Sequence, residues 1–217
     1  MSGPILVPGY GGQRKRNSLR SNRADTMSRD DYMSSVTIGE RRRVDGPVHL
    51  ADYDPDWPVL YKREAARVRG LLGDRVRLLE HVGSTSVPGL PAKPVLDMLL
   101  AVADSADEPA YVPSLESGGY ALWIREPDWH EHRLFKGPDT DIHLHTFSEG
   151  SSEITRMLAF RDRLRTNDDE RERYLATKRE LAARHWVYMQ DYADAKGEVV
   201  EGIIARAFAD REASRPR

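Results

Sequence analysis

The chain has 217 residues, enough for one ordinary domain with extensions, and its 39% hydrophobic content supports a buried core but not a membrane protein. A formal net charge of -2 argues against general affinity for nucleic acid, and the absence of cysteine excludes disulfides, thiolate metal ligands and cysteine nucleophiles. Any chemistry is left to Asp, Glu, His, Ser, Arg and Lys side chains.

Residues 1–46 are predicted to form a disordered, basic N-terminal tail. The stretch holds nine Arg and Lys against five Asp and Glu, and it is poor in aromatic and branched apolar residues. Only Val36–Ile38 could add a short edge strand. A basic arm that contacts nucleic acid is the alternative to a solvated tail. Because the tail lacks the apolar segment of a secretory signal and contains acidic residues, we expect a cytoplasmic protein.

From residue 47 to 209 the apolar residues recur with strand and helix periods. The predicted elements, in chain order, are a strand at 48–53, a helix at 54–72, strands at 75–82 and 94–102, a helix at 108–116, strands at 119–124, 132–136 and 141–147, and helices at 152–166, 169–186 and 191–209. This order predicts an α/β (α+β) fold, with helices packed on a mixed sheet and a helical C-terminal part. Residues 210–217 are expected to be a C-terminal tail.

A Gly-Ser turn precedes an acid in an apolar strand. Gly83 allows a sharp turn and close approach to a ligand, while Ser84 and Thr85 supply hydroxyls and accessible amides, as a phosphate site requires. Asp97 lies in a run that is apolar on both faces, where an unpaired carboxylate is costly, so a metal or a cation is expected beside it. The alternative is a plain strand-to-helix turn, with Asp97 accepting backbone hydrogen bonds.

The hairpin that follows carries the histidines. If Lys136 pairs with Asp141 across a four-residue loop, His132 lies opposite His145. Asp141, His143 and His145 then project from the same face as His132. Such a face could bind metal or phosphate: imidazoles suit zinc, iron or copper, whereas a carboxylate beside phosphates suits magnesium. The alternative is that these histidines bond to one another and to the polar sheet edge.

A cation interrupts the apolar stripe of each of the three C-terminal helices. These are Arg161, Lys178 and Lys196, and their shared inward direction predicts convergence on an anion. Snorkelling, with buried stems and solvated charges, is the alternative. Asp162 could also pair with one of these cations.

Several motifs resemble one known family, and together they cover the chain from about 47 to 209. They are Glu80–Leu90, Ala92–Asp97, His143–His145, Leu158–Arg165, Tyr174, Lys178–Ala182 and Tyr192–Lys196. On these motifs the chain resembles the GrpB family. The resemblance implies a nucleotidyltransferase-like fold of the polymerase-β kind, in which a Gly-Ser turn binds nucleotide phosphates and acids on neighbouring strands hold Mg²⁺.

The resemblance and the residue patterns together give a set of site assignments. Asp97, Asp141, His143 and His145 are assigned to catalysis, with Asp97 and Asp141 as the Mg²⁺ ligands. The phosphate-binding set is Gly83, Ser84, Thr85, Lys93, Arg161, Lys178 and Lys196. One departure from the nucleotidyltransferase pattern stands out, because Leu99 occupies the position two residues after Asp97 where a second acid is usual.

We therefore expect a protein that binds a nucleotide or another phosphorylated small molecule and transfers a nucleotidyl group to an acceptor. The competing hypothesis is a non-catalytic nucleotide- or CoA-related module that assists a protein partner, because the family also resembles a segment appended to some dephospho-CoA kinases. The chain carries no kinase P-loop, so kinase activity is not expected of it.

Overall fold

The computed structural model describes residues 28–41 and 43–214, apart from the side chain of Arg29. The rest of the predicted N-terminal tail, residues 1–27, and the last three residues lie outside this description. None of the described helices combines the length and apolar character needed to cross a membrane.

A five-stranded mixed sheet forms the centre of the described fold. Its strands lie in the order β2, β3, β6, β5, β4. The pair β3 and β6 is parallel, and the other neighbouring pairs are antiparallel. Their bounds are Leu78–Val82 for β2, Leu96–Val102 for β3, Ala121–Glu126 for β4, His132–Lys136 for β5 and Ile142–Ser148 for β6. The predicted α/β fold with a mixed sheet is confirmed.

Helices cover both faces of this sheet. Their bounds are Arg29–Val36 for α1, Trp57–Leu72 for α2, Val112–Ser117 for α3, Ser152–Thr166 for α4, Asp168–Ala182 for α5, Met189–Ala195 for α6 and Gly197–Ala213 for α7. A second, two-stranded sheet pairs β1 (Arg43–Gly46) with β7 (Trp186–Tyr188). The three C-terminal helical regions expected from the sequence are present, although the third is split into α6 and α7.

Strand β3 is buried along its whole length because both of its faces are covered. Met98 and Leu100 pack in one apolar cluster with the buried stripe of α2. Leu99 packs on the opposite face with Phe160 of α4 and Ile203 of α7. Alternation along the strand puts Asp97 on the same face as Leu99. The acid therefore lies between the sheet and the C-terminal helices.

The predicted disorder is wrong for the described part of residues 28–46. Helix α1 and strand β1 form there, and Met33 and Val36 are buried against Ile124 and Leu134 of the sheet. Only a single bridge, between Thr37 and Ile124, forms where an edge strand was suggested. The sparse apolar residues of this segment are enough to order it because Met33 and Val36 pack on an apolar surface of the sheet, although Ile38 stays exposed.

Other predicted element bounds also differ from the structure. Residues 48–53 make no strand: the N–H of Val48 bonds to Ala182 at the end of α5, and Ala51 forms an isolated bridge with Ala92. The helix predicted at 169–186 ends at Ala182, and β7 follows it. Helix α7 continues to Ala213, into the predicted C-terminal tail.

Candidate functional site

The Gly-Ser turn lies directly beside Asp97. Strand β2 runs antiparallel to β3 with Val82 opposite Asp97, so the turn that follows β2 begins next to this acid. Gly83 has φ 68°, and a Cβ at this position would lie 2.8 Å from the Cβ of Asp97. Both the left-handed conformation and the close approach require glycine here.

The three hydroxyl groups after Gly83 have different roles. Thr85 Oγ1 lies 3.1 Å from His81 Nε2 and donates to the Val95 carbonyl, and Ser86 Oγ donates to the Gly83 carbonyl at 2.7 Å. The side chain of Ser84 lines a pocket at Asp97, 3.5 Å from the Tyr174 hydroxyl. Of the two predicted phosphate-binding hydroxyls, Ser84 therefore faces the pocket, while Thr85 holds the turn against the sheet.

Two histidines of β6 lie beside Asp97. In the parallel pair, Asp97 is opposite His143, and Leu99 is opposite His145. Asp97 Oδ1 is 3.4 Å from His143 Nδ1 and 3.7 Å from His145 Nε2. Both distances exceed those of an ordinary hydrogen bond. Burial lowers the pKa of His143 to about 4, although Asp97 opposes the change, so its ring is neutral at neutral pH.

The hairpin pairs in a register shifted by two residues from the prediction. Leu134 lies opposite His145, and Lys136 lies opposite His143. The predicted pairing of Lys136 with Asp141 is wrong. A shift by two keeps every side chain on its original face. The three histidines of the hairpin therefore still share one face, as the His132–His145 contact at 3.3 Å requires.

Asp97, His143 and His145 form a potential metal-binding group. Each offers one ligand atom, and these atoms lie within 4.8 Å of one another. Asp97 Oδ1, His143 Nε2 and His145 Nε2 are buried and have no hydrogen-bond partner among the described residues. Two imidazoles and one carboxylate do not fit Mg²⁺, which prefers oxygen ligands.

Asp141, the second acid assigned to Mg²⁺ by the resemblance, is not a member of this group. It lies one residue before β6 and lines a different pocket, together with Lys93 and Val95. Strand β6 therefore brings His143 and His145 to Asp97, rather than the carboxylate of Asp141.

A chain of buried side chains leads away from His145. Its Nδ1 lies 3.3 Å from His132 Nε2, and His132 Nδ1 lies 2.9 Å from Glu126 Oε2. The hydroxyl of Tyr32 donates to the other oxygen of Glu126 at 2.9 Å. His132, His145 and Glu126 are fully buried. Burial lowers the pKa of His132 well below its ordinary value, so this ring is also neutral.

Two buried lysines face Asp97 across the pocket. Lys178 donates to the Pro91 carbonyl at 2.7 Å, and the Lys196 ammonium lies 4.2 Å above the Tyr192 ring. Burial lowers the pKa of Lys178 to about 7. It also lowers that of Lys196 well below its ordinary value, with a further lowering by the neighbouring lysine charges. The pocket is lined by Ser84, Lys93, Val95, Asp97, Lys178, Met189, Tyr192, Ala193 and Lys196.

Arg161 does not converge with these lysines. Its Nη1 donates to Glu80 at 2.7 Å and to the His81 carbonyl at 3.1 Å, and its Nε donates to Asp162 at 2.8 Å. It is not one of the residues that line the pocket. The predicted convergence of three helix cations is therefore wrong for Arg161. The pairing with Asp162, considered from the sequence, is present.

The sequence interpretation missed Glu126 and Tyr32. Glu126 is the acid at the end of β4, and it lies opposite His132 in the antiparallel pair of β4 and β5. An acid that replaces an apolar residue at an inward strand position was an available signal. Tyr32 was hidden because its segment was expected to be disordered, and no local pattern connects it with Glu126.

The comparisons with known proteins agree on one family. A family model described as GrpB protein matches residues 47–206. The UPF0157 protein BH1888 of Halalkalibacterium halodurans is 54% identical over 191 residues, which cover 88% of this chain and 98% of that protein. The crystal structure of conserved protein GrpB from Enterococcus faecalis superimposes with a TM-score of 0.67 at 30% identity, covering 76% of this chain and 99% of that one.

A more distant similarity involves part of a longer protein. A dephospho-CoA kinase of Mycolicibacterium paratuberculosis is 28% identical over 176 residues, which cover 68% of this chain but only 42% of the kinase. The family match spans most of the chain, including the Gly83 turn, Asp97, both β6 histidines and the three lysines that line the pocket. The chain belongs to the GrpB family.

Proposed function

We propose that the pocket at Asp97 binds the phosphate groups of a nucleotide, as the first step of nucleotidyl transfer. The observation that carries this proposal is the pair Lys178 and Lys196, both 2% exposed, in a pocket that also contains Ser84 and Lys93. Buried ammonium groups are costly unless an anion compensates them. A bound phosphate supplies that anion.

The charges that line the pocket favour an anionic ligand, because Asp97 alone does not balance the lysines. Three lysines line the pocket, and Asp97 is the one acid among its lining residues. Burial lowers the pKa of both Lys178 and Lys196, and a bound anion favours their protonated forms. With all three lysines protonated, the set carries a net charge of about +2. The buried hydroxyl of Tyr192 has no hydrogen-bond partner among the described residues. The oxygens of one phosphate group can accept from this hydroxyl and from the buried ammonium groups.

The size of the pocket limits what it can hold. Its cavity measures about 40 Å³, so it accommodates a phosphate group but not a whole nucleotide. A neighbouring cavity of about 50 Å³ shares Lys93, Met189 and Ala193 with it and is also lined by Trp123 and Tyr188. We assign the phosphates to the cavity at Asp97, and the sugar and base of the nucleotide to the surface outside it.

Nucleotidyl transfer is the reaction that matches both the family resemblance and this charge distribution. Negative charge grows on the phosphate oxygens in the transition state, and fixed ammonium groups in a water-poor pocket stabilise that charge. Lys178 and Lys196 are suited to this role because the Pro91 carbonyl and the Tyr192 ring, respectively, hold them before the ligand arrives. Ser84, which lines the same pocket, can donate its hydroxyl to the phosphate.

A non-catalytic accessory role is the second candidate. The observation in its favour is the similarity to part of a dephospho-CoA kinase, of which 42% is covered. In this case the same pocket binds a phosphate of dephospho-CoA or of a nucleotide, and a partner enzyme performs the chemistry.

Calorimetric titration with ATP, CTP, GTP, UTP and dephospho-CoA tests both candidates. We expect one of them to bind, and Lys178→Met or Lys196→Met to weaken binding by about 10- to 100-fold, the scale of a charge-assisted hydrogen bond. The exposed lysine variant Lys62→Met is the matched control and should bind like the parent.

Turnover separates the two candidates. Release of pyrophosphate in the presence of a nucleoside triphosphate supports nucleotidyl transfer, and binding without turnover supports the accessory role. The proposal fails if none of the five compounds binds, or if both buried-lysine variants bind as tightly as the parent.

A further inference from the structure

We propose that Asp97, His143 and His145 bind one divalent first-row transition-metal ion, with Zn²⁺ as the reference ion, rather than the Mg²⁺ implied by the fold family. The group consists of two imidazoles and one carboxylate whose ligand atoms lie within 4.8 Å of one another. Imidazole nitrogen is a preferred ligand of zinc, iron, cobalt and nickel. Mg²⁺ is bound through carboxylates, phosphates and water.

The first argument is that two facing polar atoms of this group have no hydrogen-bond partner in the described part of the chain. Asp97 Oδ1 and His145 Nε2 are buried and make no hydrogen bond among the described residues. They face each other at 3.7 Å, too far apart for a good hydrogen bond. Leaving buried polar atoms unpaired is costly, and one bound ion would satisfy both of these atoms.

The second argument is that the buried side chains behind His145 hold its ring towards Asp97. His132 Nδ1 lies 2.9 Å from Glu126 Oε2, and His132 Nε2 lies 3.3 Å from His145 Nδ1. In the tautomer in which His132 donates to Glu126, its Nε2 accepts from His145 Nδ1. The Nε2 of His145 is then the ring atom that remains to bind an ion beside Asp97.

In that tautomer a metal ion beside Asp97 accepts the lone pair of His145 Nε2. Metal-bound histidines commonly donate their other N–H to a partner that fixes the ring. Here that partner is His132, which is held by Glu126, and Tyr32 in turn donates to Glu126 at 2.9 Å. The outer side chains thus orient His145 for metal binding.

The third argument is that the group offers too few protein ligands for a purely structural metal site. Structural zinc sites have four protein ligands, whereas this group offers three and borders the pocket of Ser84, Lys178 and Lys196. A metal ion held by these three ligands has a free coordination position beside the pocket. An oxygen of an anion bound in the pocket can occupy that position. In this respect the inference rests on the proposed function, although the ion site itself does not require nucleotide binding.

The test uses the metal alone. The full-length chain, stripped with a chelator and dialysed, is titrated calorimetrically with Zn²⁺ and separately with Mg²⁺, and Co²⁺ binding is followed by visible absorption. We expect one Zn²⁺ per chain, a Co²⁺ absorption band that Zn²⁺ displaces, and much weaker binding of Mg²⁺. The inference is overturned if the parent binds neither Zn²⁺ nor Co²⁺, or binds Mg²⁺ equally well.

Variants locate the ion. His143→Ala and His145→Ala should each weaken Zn²⁺ binding by roughly 100-fold, and Glu126→Gln by roughly 10-fold through the loss of ring orientation. The exposed His185→Ala is the matched control, and circular dichroism checks that each variant is folded. Unchanged Zn²⁺ affinity in folded His143→Ala and His145→Ala places the ion elsewhere and overturns the inference.

The metal result and the nucleotide result can be told apart. Zn²⁺ binding without binding of any nucleotide or dephospho-CoA supports the ion site and refutes the proposed ligand. Nucleotide binding by a chain that takes up no transition metal does the reverse.

Discussion

Replacing Lys178 with methionine should remove part of the dependence of stability on pH. The stem of Lys178 is buried in the C-terminal helices, and its side chain is 2% exposed. Methionine keeps most of the apolar contacts but cannot carry a proton. Any change in the pH dependence of unfolding therefore reports on the ammonium group itself.

The sign and size of the effect follow from the pKa of Lys178. Burial lowers it from an ordinary value of 10.5 to about 7 in the folded chain. Between these two values the unfolded chain binds more protons, so the free energy of unfolding rises with pH. A full proton difference contributes about 1.4 kcal/mol per pH unit, and the difference is half complete at pH 7. From pH 7 to pH 9 the parent should gain about 2 kcal/mol from this group.

Urea denaturation at pH 7, 8 and 9 measures this gain. Lys178→Met should gain about 2 kcal/mol less than the parent over this range. The exposed Lys62→Met is the control for removing a lysine and should follow the parent. Lys196 also responds to this variant, because the charge of Lys178 lowers its pKa, whereas groups away from the pocket titrate alike in both proteins and cancel. If Lys178→Met gains as much as the parent, Lys178 is not held as a buried, deprotonating amine, and the electrostatic argument for the pocket is wrong.

Two further predictions concern the Gly83 turn and the N-terminal helix, and urea denaturation measures both. Gly83→Ala should lose about 2 kcal/mol more than Gly89→Ala, because both glycines have positive φ but only the alanine at 83 would collide with Asp97. Equal losses would contradict this account of the turn. Met33→Ala should lose about 2 to 3 kcal/mol, because Met33 is 3% exposed in its cluster under α1. A variant as stable as the parent would show that α1 does not support the sheet.

The sequence alone was sufficient for the parts of the site that depend on local patterns. An uninterrupted apolar run predicts a central strand, and an acid within it must meet a cation or a donor, which identified Asp97. A glycine before small hydroxyl residues identified the turn at Gly83, and the structure gives the reason in its positive φ and its contact with Asp97. The two-residue period of a strand placed His143 and His145 on one face, even though the predicted register was shifted.

The tertiary structure decided which of these residues meet. The parallel pairing of β3 and β6 brings His143 to Asp97 and leaves Asp141 outside the group, and no local pattern specifies which strand becomes a neighbour. Helical spacing predicts that Arg161 and Lys178 both point towards the protein interior. In the folded chain, α4 packs near β2, so Arg161 pairs with Glu80. Helix α5 packs elsewhere, and Lys178 lines the pocket.

The N-terminal segment also depends on contacts that its own sequence does not specify. Its composition suggested disorder, because composition gives the amount of apolar surface in a segment but not the surface on which that segment packs. Helix α1 places Met33 on the sheet and Tyr32 on Glu126, a residue 94 positions away. Local periodicity fixes the direction in which a side chain points, whereas the partner it reaches depends on contacts between distant parts of the chain, which only the folded structure brings together.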